Sequence, residues 1–452
     1  MNNTDVYSKR LADRHFSVDV KPLSIFDDNI EHGEITGEEF AFDEVDRGMP
    51  IRSNFNPSKN DKKISIDNTI GAFSIFEKKQ TKKLNPFDPY ETVQYSNLNE
   101  TVGNSNYTNI IDTAGVYLFE NTYITDNVIL PLNFVNVLCC LYVASKGKTT
   151  IELQKYLSLP TKQQIFNNLQ IFGKYLKSLE YINLNQFIIL PYSLNINKSY
   201  VSNMSQLRFL QYSTTNVPEY ESEKINQYIT STNKTRYATV IRPHHITHSK
   251  GNNKPVICLI TGTIRPQWKV NFDGYYDGIF GNRKCTYLVA QNKQFNYYKD
   301  DNVEAVMINS FDDKLTFGII CDNENRKTRF ELSVEYLSMI IDNSDPRMFS
   351  QLLIPQIKKN YNLRYTNLMK SAGVETIFKQ CEIPECINSN IYISDIVQSV
   401  YIAIDRNQTT RTTTPIKVEN RQNMLKMRVM SGFRFFIRLN ELNCFLVLGS
   451  FV

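Results

Sequence analysis

The sequence predicts an α+β fold. Helical patterns cluster early in its globular part, and long strand-like runs dominate later. The chain also closes on two apolar runs, GFRFFIRL and CFLVLGSF, that follow a long polar, threonine-rich stretch, NQTTRTTTPIKVENRQNMLKMRVMS.

Length and composition set the frame. The 452 residues admit one large domain or two, and 41% hydrophobic residues suffice for a sizeable core. A net charge of +5 is modest, so a dedicated nucleic-acid binder is not expected. MNNTDVYSKRLADRHF lacks the apolar segment of a secretory signal, and no apolar run approaches the roughly 20 residues that span a bilayer. The expected location is therefore intracellular, either cytoplasmic or within a virion. Usage rich in Asn, Ile, Lys and Tyr fits an AT-rich genome, such as that of a large DNA virus. Eight cysteines in a reducing compartment read as buried thiols. Cys381 and Cys386 flank EIPE without a second pair to complete a zinc site.

Residues 1–108 have the texture of an arm, largely disordered or extended. Acidic EHGEITGEEFAFDEVD and basic NPSKNDKK and EKKQTKK surround short apolar islands such as IGAFSIFE, through which the arm is expected to bind another protein. The tripeptide Asn85-Pro86-Phe87 is too short to identify an adaptor-binding motif.

A folded domain is expected over 109–452. NVIL reads as a strand that turns at Pro131 into an apolar helix, with Gly147 as its C-terminal cap. Thr149 and Glu152 then have the spacing of a capping box. FNNLQIFGKYLKSL predicts a helix, INLNQFIILPYSLNI a strand, Tyr200–Phe209 a helix and ESEKINQYITSTNKT another. VICLITGTI, TYLVAQ, EAVMINSF and KLTFGIICD read as strands. ELSVEYLSMII predicts a helix, SQLLIPQIKK one strand, NLRYTNLMKSAGVETIF a helical stretch, and IYISDIVQSVYIAI a long strand.

Catalytic constellations are missing. No G-x-S-x-G turn or H-E-x-x-H helix occurs, so an enzyme is not expected. GKTT lacks the glycine and leading strand of a phosphate loop. RPHHITH places His244 and His248 four apart, but Pro243 and SKGNNKP mark a loop rather than a chelating helix, so no metal or other cofactor is expected. Asp300-Asp301 and Asp312-Asp313 sit at turns, where aspartate caps amides.

The order of these segments resembles the serpin family, the serine protease inhibitor fold. NVILPLNFVNVLCCLYVASKGKTTIEL is similar to its first strand and long helix, with the junction Gly147, Thr149, Glu152 and Leu153. INQYITSTNKT is similar to its isoleucine-asparagine helix end, and WKVNF, with Trp268 and Phe272, to the tryptophan segment at the top of the central sheet. LLIPQIKKNYNL and MKSAGVETIF match the elements before the reactive loop, and FRFFIRL and FLVLGSFV with Gly449 the terminal strands. The resemblance implies N-terminal helices packed on a large, mostly antiparallel central sheet, two smaller sheets and an exposed C-terminal loop. In that family a protease cuts the loop, and the freed arm inserts as a new strand of the central sheet.

The resemblance also assigns candidate residues. The loop would run from Arg406 to about 432, with the cut near Arg421, Gln422 and Asn423. The hinge is Gln408, Thr409, Arg411, Thr413 and Pro415, where the family carries glycine and alanines. On insertion Thr409, Arg411, Thr413 and Pro415 would share the inward face, because strand side chains alternate. An unpaired buried arginine and a proline in a central strand both oppose that. A register one residue along would instead bury Thr410, Thr412 and Thr414. In the sheet-opening region, beside Trp268, the family's two serines fall on Leu130 and Asn133, its histidine on Gln398 and its asparagine on Ile260. Gln398 and Asn133 have the chemistry to hydrogen-bond each other. These departures point to a serpin-like protein that is not inhibitory and serves as a binding or structural component. The alternative is an intracellular suicide inhibitor of a serine or cysteine protease.

Overall fold

The computed structural model describes residues 105–452 apart from 123–124, 205, 234–238, 248–250, 324–330 and 407–423. The expected arm, and with it Asn85-Pro86-Phe87, lies outside the described residues but for 105–108, which form the first turn of α1 (Ser105–Glu120).

After α1 the short β1 (Val128–Ile129) turns at Leu130 into α2 (Pro131–Ala144), whose proline occupies the first helical turn, where a missing N–H costs nothing. Nearly every residue of α2 is buried, because it runs through the centre of the main core. The helix ends at Ala144 rather than at Gly147. Gly147 instead begins α3 (Gly147–Leu157), at φ +56°, and a Cβ there would lie 2.2 Å from Glu382 Oε2. Nor do Thr149 and Glu152 form a capping box. Thr149 Oγ1 accepts from Glu382 N at 2.9 Å, and the Glu152 carboxylate accepts from the main-chain N–H groups of Glu375, Thr376 and Ile377 at 2.9, 2.8 and 3.3 Å. Both side chains thus satisfy a distant segment. The genuine box is at α4 (Lys162–Lys177), between Thr161 and Gln164.

The 200–209 stretch divides, with α5 (Lys198–Asn203) followed by β3 (Leu207–Tyr212) beside β2 (Ile182–Pro191). Next come α6 (Pro218–Asn233) and the short α7 (Pro243–Thr247), so His244 and His245 lie on a helical turn and not in a loop; His248 is outside the described residues. β4 (Lys254–Ile264) leads to β5 (Gly274–Phe280), which the sequence reading did not anticipate, and to β6 (Arg283–Lys299), β7 (Val303–Asn309), β8 (Leu315–Asp322) and α8 (Val334–Asp342). The single strand expected around Pro355 is two, β9 (Asp345–Pro355) and β10 (Ile357–Arg364), which belong to different sheets. α9 (Thr366–Ser371) starts only after β10, and a 3-10 turn (Thr376–Phe378) follows. The last strands are β11 (Ile391–Ile404), β12 (Leu425–Arg428), β13 (Phe433–Leu439) and β14 (Cys444–Phe451).

Two sheets result. The five-stranded sheet has the order β10-β11-β4-β2-β3 and is mixed, with β11 parallel to β4 and β2 parallel to β3. The two smaller sheets run together through the long β6, which pairs with β5, β7 and β9, giving nine strands in all. α2 packs beneath both sheets, while α6 and α7 cover the opposite face of the five-stranded one over a second, smaller core. Gly449 and Gly318 let β14 and β8 pass under phenylalanine rings, since a Cβ would meet Phe435 at 2.4 Å and Phe436 at 2.1 Å. Among the described residues no helix is long and apolar enough to cross a membrane. All eight cysteines are free thiols, six of them buried and Cys285 and Cys321 half-buried.

Candidate functional site

The site is the junction of β4 and β11 together with the chain that leaves the end of β11. That chain departs at Asp405, which is held in place on several sides. Asp405 Oδ1 accepts from Tyr275 OH (3.0 Å), Gln356 Nε2 (2.6 Å) and the Arg406 amide (2.7 Å), and Lys358 Nζ lies 2.6 Å from Oδ2. Burial alone would raise this carboxyl; Lys358 and the donated hydrogen bonds outweigh it and hold the group below the usual aspartate range. The chain is recaptured at Leu425, which opens β12 alongside β9, and Ser350 Oγ donates to its carbonyl at 3.0 Å. The expected hinge (Gln408, Thr409, Arg411, Thr413, Pro415) and scissile region (Arg421, Gln422, Asn423) lie between these anchors, outside the described residues.

β4 and β11 pair without a gap, from Ile391 opposite Lys254 to Ile402 opposite Ile264, with one bulge at Ser394. A strand entering here must break that whole ladder. The sheet face turned to the main core is apolar on both sides of the junction. It is lined by Val256, Cys258, Ile260 and Ile264 from β4, and by Ile396, Val400, Ile402 and Ile404 from β11. At the loop end, Arg265 lies 4.8 Å from the centre of the Tyr401 ring, a cation–π contact across the seam.

One polar side chain, Gln398, interrupts the apolar face of β11, and it is fully buried. Its Nε2 donates to Val128 O at 2.8 Å, and its Oε1 accepts from Leu130 N at 3.0 Å and from Tyr365 OH. Gln398 therefore ties the central sheet to the turn that starts α2. The hydrogen bond to Asn133 is not formed; Asn133 Oδ1 is buried without a partner among the described residues. The amide reaches main-chain groups at the helix start, which are the closer and more demanding partners. Ile260 stands directly opposite Gln398 in the ladder. The structure thus brings Leu130, Gln398 and Ile260 together and adds Tyr365, which sequence reading missed. Its ring packs against Phe134 at a tilt of 36°, 4.5 Å between ring centres, and burial pushes its hydroxyl well above the usual tyrosine range. A buried tyrosine immediately after a strand end carries no local pattern that would have revealed it. Trp268 is buried elsewhere, bridging Ser310 and packing on Phe317 at 5.5 Å. Gln398→Leu should leave Val128 O without its side-chain donor and Tyr365 OH without its acceptor, while Leu130 N keeps Tyr365 OH at 3.4 Å, and lower the unfolding free energy by about 2 kcal/mol, measurable by denaturant unfolding.

The sequence matches the family model described as Serpin (serine protease inhibitor) over residues 115–452. Solved structures similar to it include native protease nexin-1 with heparin, at 14% identity and TM-score 0.66, covering 76% of this chain and 98% of the other. The thermophilic serpin tengpin in its native state is similar at 17% identity and TM-score 0.61, covering 76% and 92%. No curated protein matches the sequence.

Proposed function

Because the chain belongs to the serpin family, we propose that it is a serpin-fold protein that does not inhibit by loop insertion and acts as a binding or structural component. The observation that carries this reading is the apolar lining of the β4/β11 seam. In the matched register Arg411 would face that lining, where no carboxylate stands among the described residues of either strand's inward side. An unpaired guanidinium cannot be hidden there at a cost below several kcal/mol. Pro415 would remove a ladder hydrogen bond from the same strand. The reading involves no catalytic step, no metal and no cofactor. It assigns partner binding to the protein surface and to residues 1–108, in an intracellular setting.

A second reading rests on the threonines. With the register moved by one, Thr410, Thr412 and Thr414 turn inward and Arg411 outward, and all three are good strand formers. The chain would then be a suicide inhibitor of a serine or cysteine protease cut at Arg421-Gln422 or Gln422-Asn423. Nicking the loop and comparing thermal unfolding before and after separates the two. The scaffold reading expects an unchanged midpoint. A large rise, or an SDS-resistant adduct with a trypsin-like protease, would establish the inhibitor.

A further inference from the structure

β5 forms one margin of its sheet. It pairs along its whole length with β6, from Gly274 opposite Val289 to Phe280 opposite Arg283, and among the described residues no strand lies on its other side. An open edge offers unpaired main-chain N–H and C=O groups, and proteins commonly blunt it with basic residues, proline, a bulge or short length. The other margins follow that rule. β12 carries Lys426 and Arg428, β10 carries Lys358, Lys359 and Arg364, β3 carries Arg208, and β1 is two residues long. β5, GYYDGIF, has no basic residue and no proline, its register with β6 is unbroken, and its one charge is Asp277. Tyr275, Tyr276 and Ile279 on it are 50, 52 and 60% exposed.

Strand side chains alternate, so Tyr275, Asp277 and Ile279 share one face. On that face Lys284 of β6 stands opposite Ile279, and Thr286 stands opposite Asp277, to whose Oδ1 it donates at 2.8 Å. Lys284 and Asp277 are exposed, and neither forms an ion pair among the described residues.

We propose that β5 is a self-pairing edge, through which two copies of this chain join antiparallel about a two-fold axis. Such pairing of identical strands puts one residue opposite itself. Asp277 on the axis would set like charges together. Tyr276 on the axis would set Ile279 opposite the partner's Asp273, a carboxylate that Lys293 already holds at 3.0 Å. With Gly278 on the axis, the row across four strands is Lys284, Ile279, the partner's Asp277 and the partner's Thr286. Lys284 and the partner's Asp277 are then two strand spacings apart, about 10 Å between Cα atoms. The lysine stem lies over Ile279 and its charge meets the carboxylate. Symmetry makes this contact twice, and an edge whose charges complement themselves on reversal selects a second copy over a strand of other sequence. The seven-residue edge covers less than the roughly 800 Å² per partner of a standard interface, so the dimer is weak, with a dissociation constant of about 10–100 µM. The pairing does not rest on either reading of the loop.

Sedimentation velocity and hydrogen–deuterium exchange of the full-length protein, each between about 1 and 200 µM, supply the test. The expected result is a monomer–dimer equilibrium, with exchange in residues 274–280 about two- to five-fold slower at the high concentration. Asp277→Lys and Lys284→Asp should each raise the dissociation constant at least about 10-fold, since like charges then face each other twice. The double variant, with the charges exchanged, should return to within about three-fold of the natural protein. Phe311→Ser, at the 75%-exposed tip of the turn between β7 and β8, should leave the association unchanged. A monomer throughout the range, a dimer that neither single variant weakens, a double variant as weak as the singles, a dimer lost in Phe311→Ser, or protection that appears elsewhere and not in β5 would each overturn the pairing.

Discussion

With Arg411 and Pro415 both replaced by alanine, cutting the 407–423 segment is expected to raise the thermal midpoint, whereas cutting the natural chain leaves it where it was. Two penalties are removed together. The guanidinium, set against Ile260, Ile264, Val400 and Ile402, costs at least about 3 kcal/mol when buried without a partner. The proline adds about 1 to 3 kcal/mol through the ladder hydrogen bond it cannot donate. What remains on the inserted segment's other face is Thr410, Thr412 and Thr414, which suit a strand. Freed of both penalties, a sixth strand would gain ladder hydrogen bonds on each side. Differential scanning calorimetry of intact and nicked protein reads the outcome, and each single replacement should fall between. If the double variant behaves like the natural chain, the block lies in the sheet, and Gln398 becomes the residue to change. If the natural chain already gains, the hinge argument fails.

Asp112→Asn should stabilise the protein by up to about 4 kcal/mol at pH 8 and hardly at all near pH 4. Asp112 sits on α1, 7% exposed, with Oδ1 accepting from the Phe445 amide at 2.8 Å. Burial pushes its carboxyl up to about 7, against the smaller opposing pull of the Phe445 amide and Arg438. The folded value thus lies above the unfolded one. Below about pH 4 both states hold the proton and the native state suffers no penalty. Between about 4 and 7 the unfolded chain ionises first, so native stability falls as pH rises, by about 1.4 kcal/mol per pH unit. Above 7 the loss is complete. Asparagine keeps an acceptor for Phe445 and does not ionise. His245, held low, acts in the opposite direction over part of this range, its contribution fading as pH falls through 6.5 toward 4. Since both proteins contain it, the difference between them isolates Asp112. Urea unfolding at pH 4 and pH 8 gives that difference, and a value independent of pH would refute the assignment.

How far the sequence could be read depended on the range of the forces involved. The turn at Pro131, the buried α2 and the strands around Gly262, Val306 and Ile319 follow from local pattern, since periodicity and proline chemistry act over a few residues. Two equal-looking capping motifs show where that stops. Thr161-x-x-Gln164 caps its own helix, while Thr149-x-x-Glu152 hands its oxygens to Glu382 and the 375–377 amides. Nothing within ten residues of Thr149 distinguishes them. β9 and β10 look like one strand for the same reason, because the break at Pro355–Gln356 is a change of sheet, visible only from the partners.

By itself, the sequence determined the α+β class, the order of the strands that end the chain, and the threonine-rich tether with its arginine and proline. These are matters of side-chain type and spacing along one dimension. Only the tertiary structure decided that Gln398 holds the start of α2 rather than Asn133, that the seam's inner face is wholly apolar around it, and that Glu152 caps the 375–377 amides. Each of those depends on which distant groups are brought within about 3 to 4 Å, where hydrogen bonds and ion pairs begin to act.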